Sequence, residues 1–515
     1  MHDASHTPDN KPAIIGIAVA LLFYLGLIVV LGPDRLSLHH GDHDSHAAAG
    51  EHGEDHGEDG SHDEHGDDHE SSHASGDGAD HAVPIPAYWS VTPFVLLLGG
   101  IALLPLIGAT AHWWESNANR FLLAAVLALC TLAYYLLLHP AHGFPKVLDI
   151  LKHAVLGEYV PFIVLLFSLY AITGGIRIQG DLVAKPLTNV GFLVVGGLLA
   201  SFVGTTGAAM LLIRSLIETN NERKHITHTV VFFIFVVCNC GGCLLPIGDP
   251  PLFLGYLLGV DFLWTMKYLW GAWLLTNAII ILVYFLFDAF YFYPKESRED
   301  IALDEATRKP LKIRGLMPNL LLLAGVIFSV ACLDPLKTLW GWHPWPFLRE
   351  AVQLLLVLMS LVLGSREIRI DNKFNYHAIL EVAALFIGIF ICMQPALEIL
   401  HQKGGELGLK TPQHLYWATG ALSAVLDNAP TYVVFFETAA AEKDFVGQDF
   451  ATLVSGGGLL AEKARRLLIG ISLGAVFMGA LTYIGNGPNF MVRACLLYTS
   501  PSPRDKRQSR MPSSA

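Results

Sequence analysis

The chain has 515 residues, of which 53% are hydrophobic and only 15% are charged. This balance excludes a soluble enzyme and is typical of a membrane protein with many spans. The formal net charge of −12 is concentrated in one segment, because residues 39–81 carry 14 Asp and Glu and no Lys or Arg. The rest of the chain is close to neutral, at about +2, and gives no reason to expect a nucleic-acid partner.

The N-terminal part divides into an apolar run and a His-rich tract. Residues 13–31 are long enough to span a membrane and are followed by no cleavage pattern, so we expect a retained helix within 1–38. Residues 39–81 contain 11 His and are too polar to bury a core, so disorder is expected. Such a tract can chelate Zn, Ni or Cu, and the alternative is a solvated acidic loop without a tight site. The candidate metal ligands are His52, His56, His62, His65 and His69.

The most informative stretch is Cys238–Gly259, which reads CNCGGCLLPIGDPPLFLGYLLG. Its prolines and glycines prevent a regular helix at membrane depth. Irregular backbone at that depth is tolerated only where it is buried in protein or lines a water-filled cavity. The same device returns 237 residues later in Tyr483–Phe490, YIGNGPNF. Paired interruptions in two halves indicate the binding site of a secondary transporter. Cys238, Cys240 and Cys243 suggest a metal cluster, and small thiols packed beside the break are the alternative.

Each half also contains two short apolar pieces separated by a polar tip. The tips are Gly204–Gly207 and Asp427–Pro430, and alignment of Ser201 with Ser423 gives an offset of 222 residues. The polar insertion Glu442–Glu462 explains why the two offsets differ by 15 residues. The chain therefore contains an internal repeat.

We expect an all-α polytopic membrane protein with one repeat in residues 82–292 and a second in 315–494, joined by a charged cytoplasmic linker at 293–314. Each repeat should contain a re-entrant hairpin and a broken transmembrane helix. Lys and Arg favour cytoplasmic loops, which places the linker inside and the His-rich tract on the periplasmic or external side. The two hairpins then enter from opposite sides, so the repeats are inverted. Lys463, Arg465 and Arg466 disagree with this count, because it places them outside.

The last segment, residues 495–515, does not continue the membrane pattern. It resembles translated sequencing-adapter read-through, so we expect a non-native tail on a native chain that continued the interrupted helix.

Three stretches carry a resemblance to a known family. They are Leu422–Pro430 (LSAVLDNAP), Glu381–Phe390 (EVAALFIGIF) and the paired IGDPP and IGNGP breaks. Residues 90–494 resemble the ArsB/NhaD permeases of the ion transporter superfamily, which include NhaD-type Na⁺/H⁺ antiporters, arsenite permeases and citrate or dicarboxylate carriers. The resemblance implies an inverted-repeat fold with two re-entrant hairpins, a homodimer, and an elevator-like movement of the substrate.

The chain departs from the carboxylate carriers, whose hairpin tips bear Ser-Asn-Thr. A dianion would be repelled by Asp249 and Asp427, whereas a cation would be attracted. Since an ionised carboxylate can bind Na⁺ and a proton neutralises it, the two cations would compete for one site. The expected ion-binding residues are Thr205, Thr206, Asn239, Asp249, Asp427, Asn428 and Asn486, and proton coupling is assigned to Asp249, Asp427 and Glu381.

We therefore expect a Na⁺/H⁺ antiporter of the inner membrane, with no enzymatic activity and no cofactor. Transport of citrate, another organic anion or arsenite is the alternative, and a metal-handling protein whose function lies in the His-rich tract is a third reading. The site residues have structural alternatives too. Asp249 and Asp427 could cap the half-helices that follow them, Asn239 could be a satisfied buried amide, and Glu381 could form a solvated pair with His377.

The charge count makes a prediction about orientation. A cysteine introduced at Ser61 should react with an impermeant thiol reagent in intact cells, whereas one at Ser297 should react only after permeabilisation. Labelling is measured against a parent whose native cysteines are replaced. The reverse pattern would overturn the orientation.

Overall fold

The computed structural model describes residues 10–31, 85–335, 342–445, 447–482, 485–489 and 491–492, with the backbone alone over 27–31. The His-rich tract and the segment 495–515 lie outside the described residues. Among the described residues, ten α-helices precede the linker: α1 Lys11–Leu31, α2 Thr92–Leu103, α3 Gly108–Trp114, α4 Asn117–Leu137, α5 Phe144–Leu151, α6 Val160–Thr173, α7 Pro186–Thr219, α8 Thr227–Val237, α9 Pro250–Leu257 and α10 Trp264–Phe287.

Ten further α-helices follow in the described part of the chain. They are α11 Arg298–Thr307, α12 Leu316–Cys332, α13 Leu348–Leu363, α14 Arg366–Asp371, α15 His377–Cys392, α16 Gln394–Lys403, α17 Pro412–Ser423, α18 Asn428–Ala440, α19 Phe450–Ser455 and α20 Leu459–Met478. Six helical runs among the described residues are long and apolar enough to cross a membrane, and two bent helix pairs raise the number to eight. The predicted all-α polytopic class is confirmed.

The first hairpin is formed by α7, which reverses direction at Gly204. Gly204 has a φ of 77°, a left-handed value that glycine adopts without a steric penalty. Asn189 and Asn220 then exchange two side-chain hydrogen bonds of 2.8 Å across the ends of the element. A straight helix would hold residues 31 positions apart at about 46 Å, so the two limbs must lie side by side. The second hairpin consists of α17 and α18, which pack together around the tip at Asp427.

One face of the molecule brings the charged linker next to other segments that carry Lys or Arg. A two-stranded antiparallel ribbon pairs β1, Arg177–Asp181, with β2, Lys309–Arg314. This ribbon is an addition to the predicted all-α fold, and it joins the end of α6 to the linker. Arg314 also contacts Asp371 at 3.1 Å, so α14, which ends at Asp371, lies on the same face. We call this surface the linker face.

Lys463 and Arg465, which the count of basic residues in cytoplasmic loops did not explain, lie at the other end of the bundle. Lys463 forms an ion pair with Asp444, and the Arg465 guanidinium lies 4.6 Å from the ring centroid of Tyr268. The Trp264 indole, at the start of α10, donates to the Val454 carbonyl at 3.3 Å. Since α10 leads from there to the linker, the start of α20 lies opposite the linker face.

The helices form two packed groups. The first contains α1, α2, α4, α6, α12, α13 and α15, and the second contains α7 to α10 with α17 to α20. Both hairpins and both broken helices belong to the second group. Contacts of α6 with α7 and with α9 join the groups through apolar side chains of one continuous core.

A glycine in each broken helix allows the backbone there to fold back tightly on itself. A Cβ on Gly248 would overlap the Gly242 carbonyl oxygen, and one on Gly485 would lie 2.6 Å from the Gly479 carbonyl oxygen. Because Gly242 and Gly479 differ by the repeat offset of 237, the same close approach is built twice. This correspondence supports the predicted internal repeat.

Replacing these glycines should therefore destabilise the protein. Gly248→Ala and Gly485→Ala are each expected to lower the free energy of unfolding by about 1–3 kcal/mol, since backbone must move to admit the methyl group. Gly487→Ala is the matched control, because a Cβ there would meet nothing within 4 Å. Thermal unfolding of the purified protein in detergent measures the difference. Equal stability of all three variants would contradict the close approach.

Candidate functional site

The first broken helix places a carboxylate in the protein interior. Helix α8 ends at Val237, and two short 3₁₀ turns lead to Asp249, directly before Pro250 begins α9. Pro246, Pro250 and Pro251 lack amide donors, so the backbone cannot form a continuous helix there. Asp249 is 1% exposed, and its side chain makes no capping hydrogen bond to α9. The Asp249 side chain therefore does not cap α9, which was the structural alternative considered for this residue.

The Asp249 carboxylate accepts three hydrogen bonds from three other elements. Its Oδ1 accepts from Thr205 Oγ1 at 3.2 Å and from Asn486 Nδ2 at 3.0 Å. Its Oδ2 accepts from Asn428 Nδ2 at 2.9 Å. Thr205 lies at the first hairpin tip, Asn428 at the second, and Asn486 in the second break. Four residues predicted from the sequence therefore meet at one point, which we call the Asp249 site.

These residues correspond to one another in the two repeats. Asp249 and Asn486 are separated by the helix-break offset of 237, and Thr205 and Asp427 by the hairpin offset of 222. The first repeat thus has its carboxylate in the broken helix and a hydroxyl at the hairpin tip. The second repeat has an amide in the broken helix and a carboxylate at the tip. Each repeat contributes one acidic side chain.

Asp427 has a different role from Asp249 in the described contacts. It is the N-terminal cap of α18, where its Oδ1 accepts from the Ala429 amide at 3.0 Å. The side chain is half-buried, and the hydrogen bond to Asp249 comes from its neighbour Asn428 instead. The geometry therefore shows the capping alternative for Asp427.

A row of amides extends the site behind Asn486. Asn486 Nδ2 also lies 3.0 Å from the Cys238 carbonyl and 3.2 Å from Asn239 Oδ1. Asn239 donates in turn to Asn489 Oδ1 at 2.8 Å, and Asn489 donates to the Gly479 carbonyl at 3.0 Å. Asn239 is therefore a satisfied buried amide that borders the site. Asn489 was not predicted as a site residue, although a second Asn in the repeated break was a usable signal in the sequence.

One serine in each hairpin donates a hydrogen bond to a broken helix. Ser201 Oγ donates to the Gly241 carbonyl at 2.5 Å, and Ser423 Oγ donates to the Ala475 carbonyl at 2.7 Å. In the sequence these two serines align the repeats, but their hydrogen bonds were not predicted. Their hydrogen bonds satisfy carbonyl groups that the breaks leave without helical partners.

Other predicted residues lie outside the Asp249 network. Thr206 is half-buried and makes none of the hydrogen bonds described above. Glu381 forms an ion pair with Arg120 at 2.8 Å, where α15 packs on α4. Cys238, Cys240 and Cys243 are buried beside the break. The proton-coupling role of Glu381 stays a prediction.

The Asp249 site is acidic and carries little compensating charge. Among the described residues, no Lys, Arg or His side chain forms an ion pair with Asp249 or Asp427. Asn428 is fully buried, and its Oδ1 has no hydrogen-bond partner in the described part of the chain. Carboxylate, amide and hydroxyl oxygens are the ligands that hard cations prefer. The site can therefore hold a proton or a small hard cation.

A buried polar site between two broken helices and two hairpin tips is typical of secondary transporters. Residues 83–499 match the family described as "Putative citrate transport". The match covers most of the chain, which therefore belongs to this family. It confirms the predicted membrane transporter and the resemblance to citrate-transporter-like permeases. A search of curated proteins gives no match.

The capping contact of Asp427 can be tested by stability. Asp427→Ala should lower the free energy of unfolding by about 0.5–2 kcal/mol, whereas Asp427→Asn should preserve it, because Asn caps helices as well as Asp. Thr206→Ala, at the other hairpin tip, is the control and should change stability little. The midpoint of thermal unfolding reports all three. Equal loss in the Asn and Ala variants would contradict the cap.

Proposed function

We propose that the protein is a cation-coupled secondary transporter and that it exchanges Na⁺ for H⁺ at the Asp249 site. The observation that carries this proposal is the environment of Asp249, which is 1% exposed and accepts hydrogen bonds from one hydroxyl and two amides. These donors are uncharged. They orient the carboxylate without neutralising it.

The energetics of burial explain why such a group would bind a cation. An ionised carboxylate away from water is costly unless a partner of opposite charge compensates it. Na⁺ or H⁺ can supply that charge, and only one of them can occupy the carboxylate at a time. Competition for one anionic group couples the two ions in opposite directions when the site crosses the membrane only with a cation bound.

The unpartnered oxygen of Asn428 supports the Na⁺ half of this exchange. Asn428 Nδ2 is fixed on Asp249 Oδ2 at 2.9 Å, which leaves its Oδ1 as a buried acceptor in the same site. Na⁺ lacks directional donors and is bound by several oxygens, so an amide oxygen beside a carboxylate suits it. A proton needs only the carboxylate.

The position of the site supports alternating access. Both hairpin tips contact or adjoin Asp249, and the second group of helices contains all four interrupted elements. If this group moves against the first, the cation moves with its ligands. Occupation by Na⁺ or H⁺ reduces the net charge carried through the membrane and hence the cost of crossing.

Citrate or another organic anion is the second candidate, and the family match favours it. A polyanion would meet the Asp249 and Asp427 carboxylates at a site where the described residues offer no basic ion pair. It would therefore require cations to bind with it, and the Asp249 site would serve as the cation site. We place this transporter in the inner membrane as a homodimer, following the expected family pattern.

The test compares both reactions in one preparation of proteoliposomes. Na⁺-dependent proton movement and labelled citrate uptake are measured for the parent, Asp249→Asn and Asp427→Asn. Exchange should be lost in both variants, because the amide cannot take up the proton or supply the charge for Na⁺. Glu462→Gln is the control, since Glu462 pairs with Arg466 on the surface.

The outcomes separate the two candidates. Proton movement driven by Na⁺ in the parent, without citrate, supports exchange. Citrate uptake without Na⁺-driven proton movement supports the second candidate, and retained uptake in Asp427→Asn would strengthen it, because removal of a negative charge relieves repulsion. Full Na⁺/H⁺ exchange by Asp249→Asn would exclude the proposed role of this carboxylate.

A further inference from the structure

Three carboxylates meet at the linker face, away from the Asp249 site. Asp181 ends strand β1, Glu222 lies in the turn that follows α7, and Asp304 lies on α11 of the linker. One carboxylate oxygen from each residue lies within 4.8 Å of the others. Segments far apart in sequence thus bring three acidic groups together.

Burial distinguishes this trio from an ordinary acidic surface. Asp304 is only 5% exposed, and Asp181 and Glu222 are half-buried. Each keeps one buried oxygen that has no hydrogen-bond partner among the described residues, namely Asp181 Oδ1, Glu222 Oε2 and Asp304 Oδ1. The other Asp304 oxygen accepts from the Ala184 amide at 2.9 Å, which fixes the orientation of the carboxylate. Buried unpaired oxygens of charged groups are strongly unfavourable.

The neighbouring basic groups do not satisfy the trio. Lys309 faces Asp181 as its ribbon partner, and it lowers the pKa of Asp181 without outweighing the effect of burial. The Arg223 guanidinium forms an ion pair with Asp288, to which its Nη1 donates at 3.0 Å. Burial raises the pKa of the Asp181, Glu222 and Asp304 carboxyls, and the charges of the other two raise that of Glu222 further. The trio has a surplus of negative charge.

We propose that Asp181, Glu222 and Asp304 bind one divalent hard cation, of the class of Mg²⁺, Ca²⁺ or Mn²⁺. All three ligands are carboxylate oxygens, which these ions prefer, and the trio offers no nitrogen or sulfur ligand for a softer metal. Three negative charges favour a divalent ion over Na⁺. The unpartnered oxygens would become its ligands.

The location gives this cation a mechanical consequence. Glu222 follows the second limb of the first hairpin, whose tip carries Thr205, and Asp181 lies shortly before Pro186, where the first limb begins. Asp304 belongs to the linker between the repeats. A cation shared by the three residues would fasten the base of the first hairpin to the linker. Divalent ions would then stabilise the folded protein and restrain the part of the hairpin farthest from the transport site.

The experiment measures binding of Mn²⁺, Mg²⁺ and Ca²⁺ to the purified full chain after treatment with a chelator. Thermal unfolding and the loss of the free Mn²⁺ electron paramagnetic resonance signal are followed during titration. We expect saturable stabilisation and one site per chain that Asp304→Asn and Glu222→Gln weaken at least about tenfold, because affinity follows the number of charged ligands. Both variants should still fold, since each removes repulsion from the metal-free protein.

Glu305→Gln is the matched control. Glu305 follows Asp304 on α11 but is exposed and lies 3.7 Å from Lys185, so divalent binding should be unchanged. The His-rich tract is present in every variant, so only the difference between variants reports the trio. The proposal is overturned if no divalent ion binds saturably, if Asp304→Asn binds as the parent does, or if Na⁺ at equal ionic strength stabilises equally.

Discussion

The architecture of this protein depends on keeping one carboxylate away from water inside a membrane protein. Asp249 can occupy that position only because the backbone around it is irregular and supplies groups that a regular helix would use internally. The irregular backbone in turn needs partners for its own carbonyls. Ser201, Asn486 and Asn489 provide them. The breaks, the hairpins and the buried amides are therefore one interdependent structure.

The repeats reproduce the packing more faithfully than the chemistry. Gly248 and Gly485 fold the backbone back on Gly242 and Gly479 in the same way, and a serine in each hairpin donates to a nearby carbonyl. At the site itself, however, Asp249 corresponds to Asn486 and Thr205 to Asp427. Backbone geometry is conserved between the halves because the break demands it. The side chains differ, and Asp249 is the carboxylate that accepts from the uncharged donors of the other elements.

The sequence allowed much of this structure to be predicted, because its strongest signals are local. Pro and Gly at membrane depth identify the breaks, and an offset between two copies identifies the repeat. These signals were sufficient to predict Thr205, Asp249, Asn428 and Asn486 as residues of one site. The contact partner of each side chain could not be predicted in the same way. Asp427 caps α18, Glu381 pairs with Arg120 on another helix, and the trio around Asp304 joins segments up to 123 residues apart in sequence.

The arrangement of charge also bears on the choice between a transported cation and a transported anion. An anion carrier needs a positive electrostatic potential where its substrate binds, and helix N-termini can supply part of it. Here α9 and α18 both begin at the site, but the residue directly before each is an aspartate. Asp427 accepts a hydrogen bond from the Ala429 amide in the first turn of α18, and Asp249 places its own negative charge at the start of α9. The positive ends of both half-helices are thus offset by acidic side chains, so any anion that binds there must bring cations with it. Cation binding is the property that exchange of Na⁺ and cotransport of citrate would share at this site.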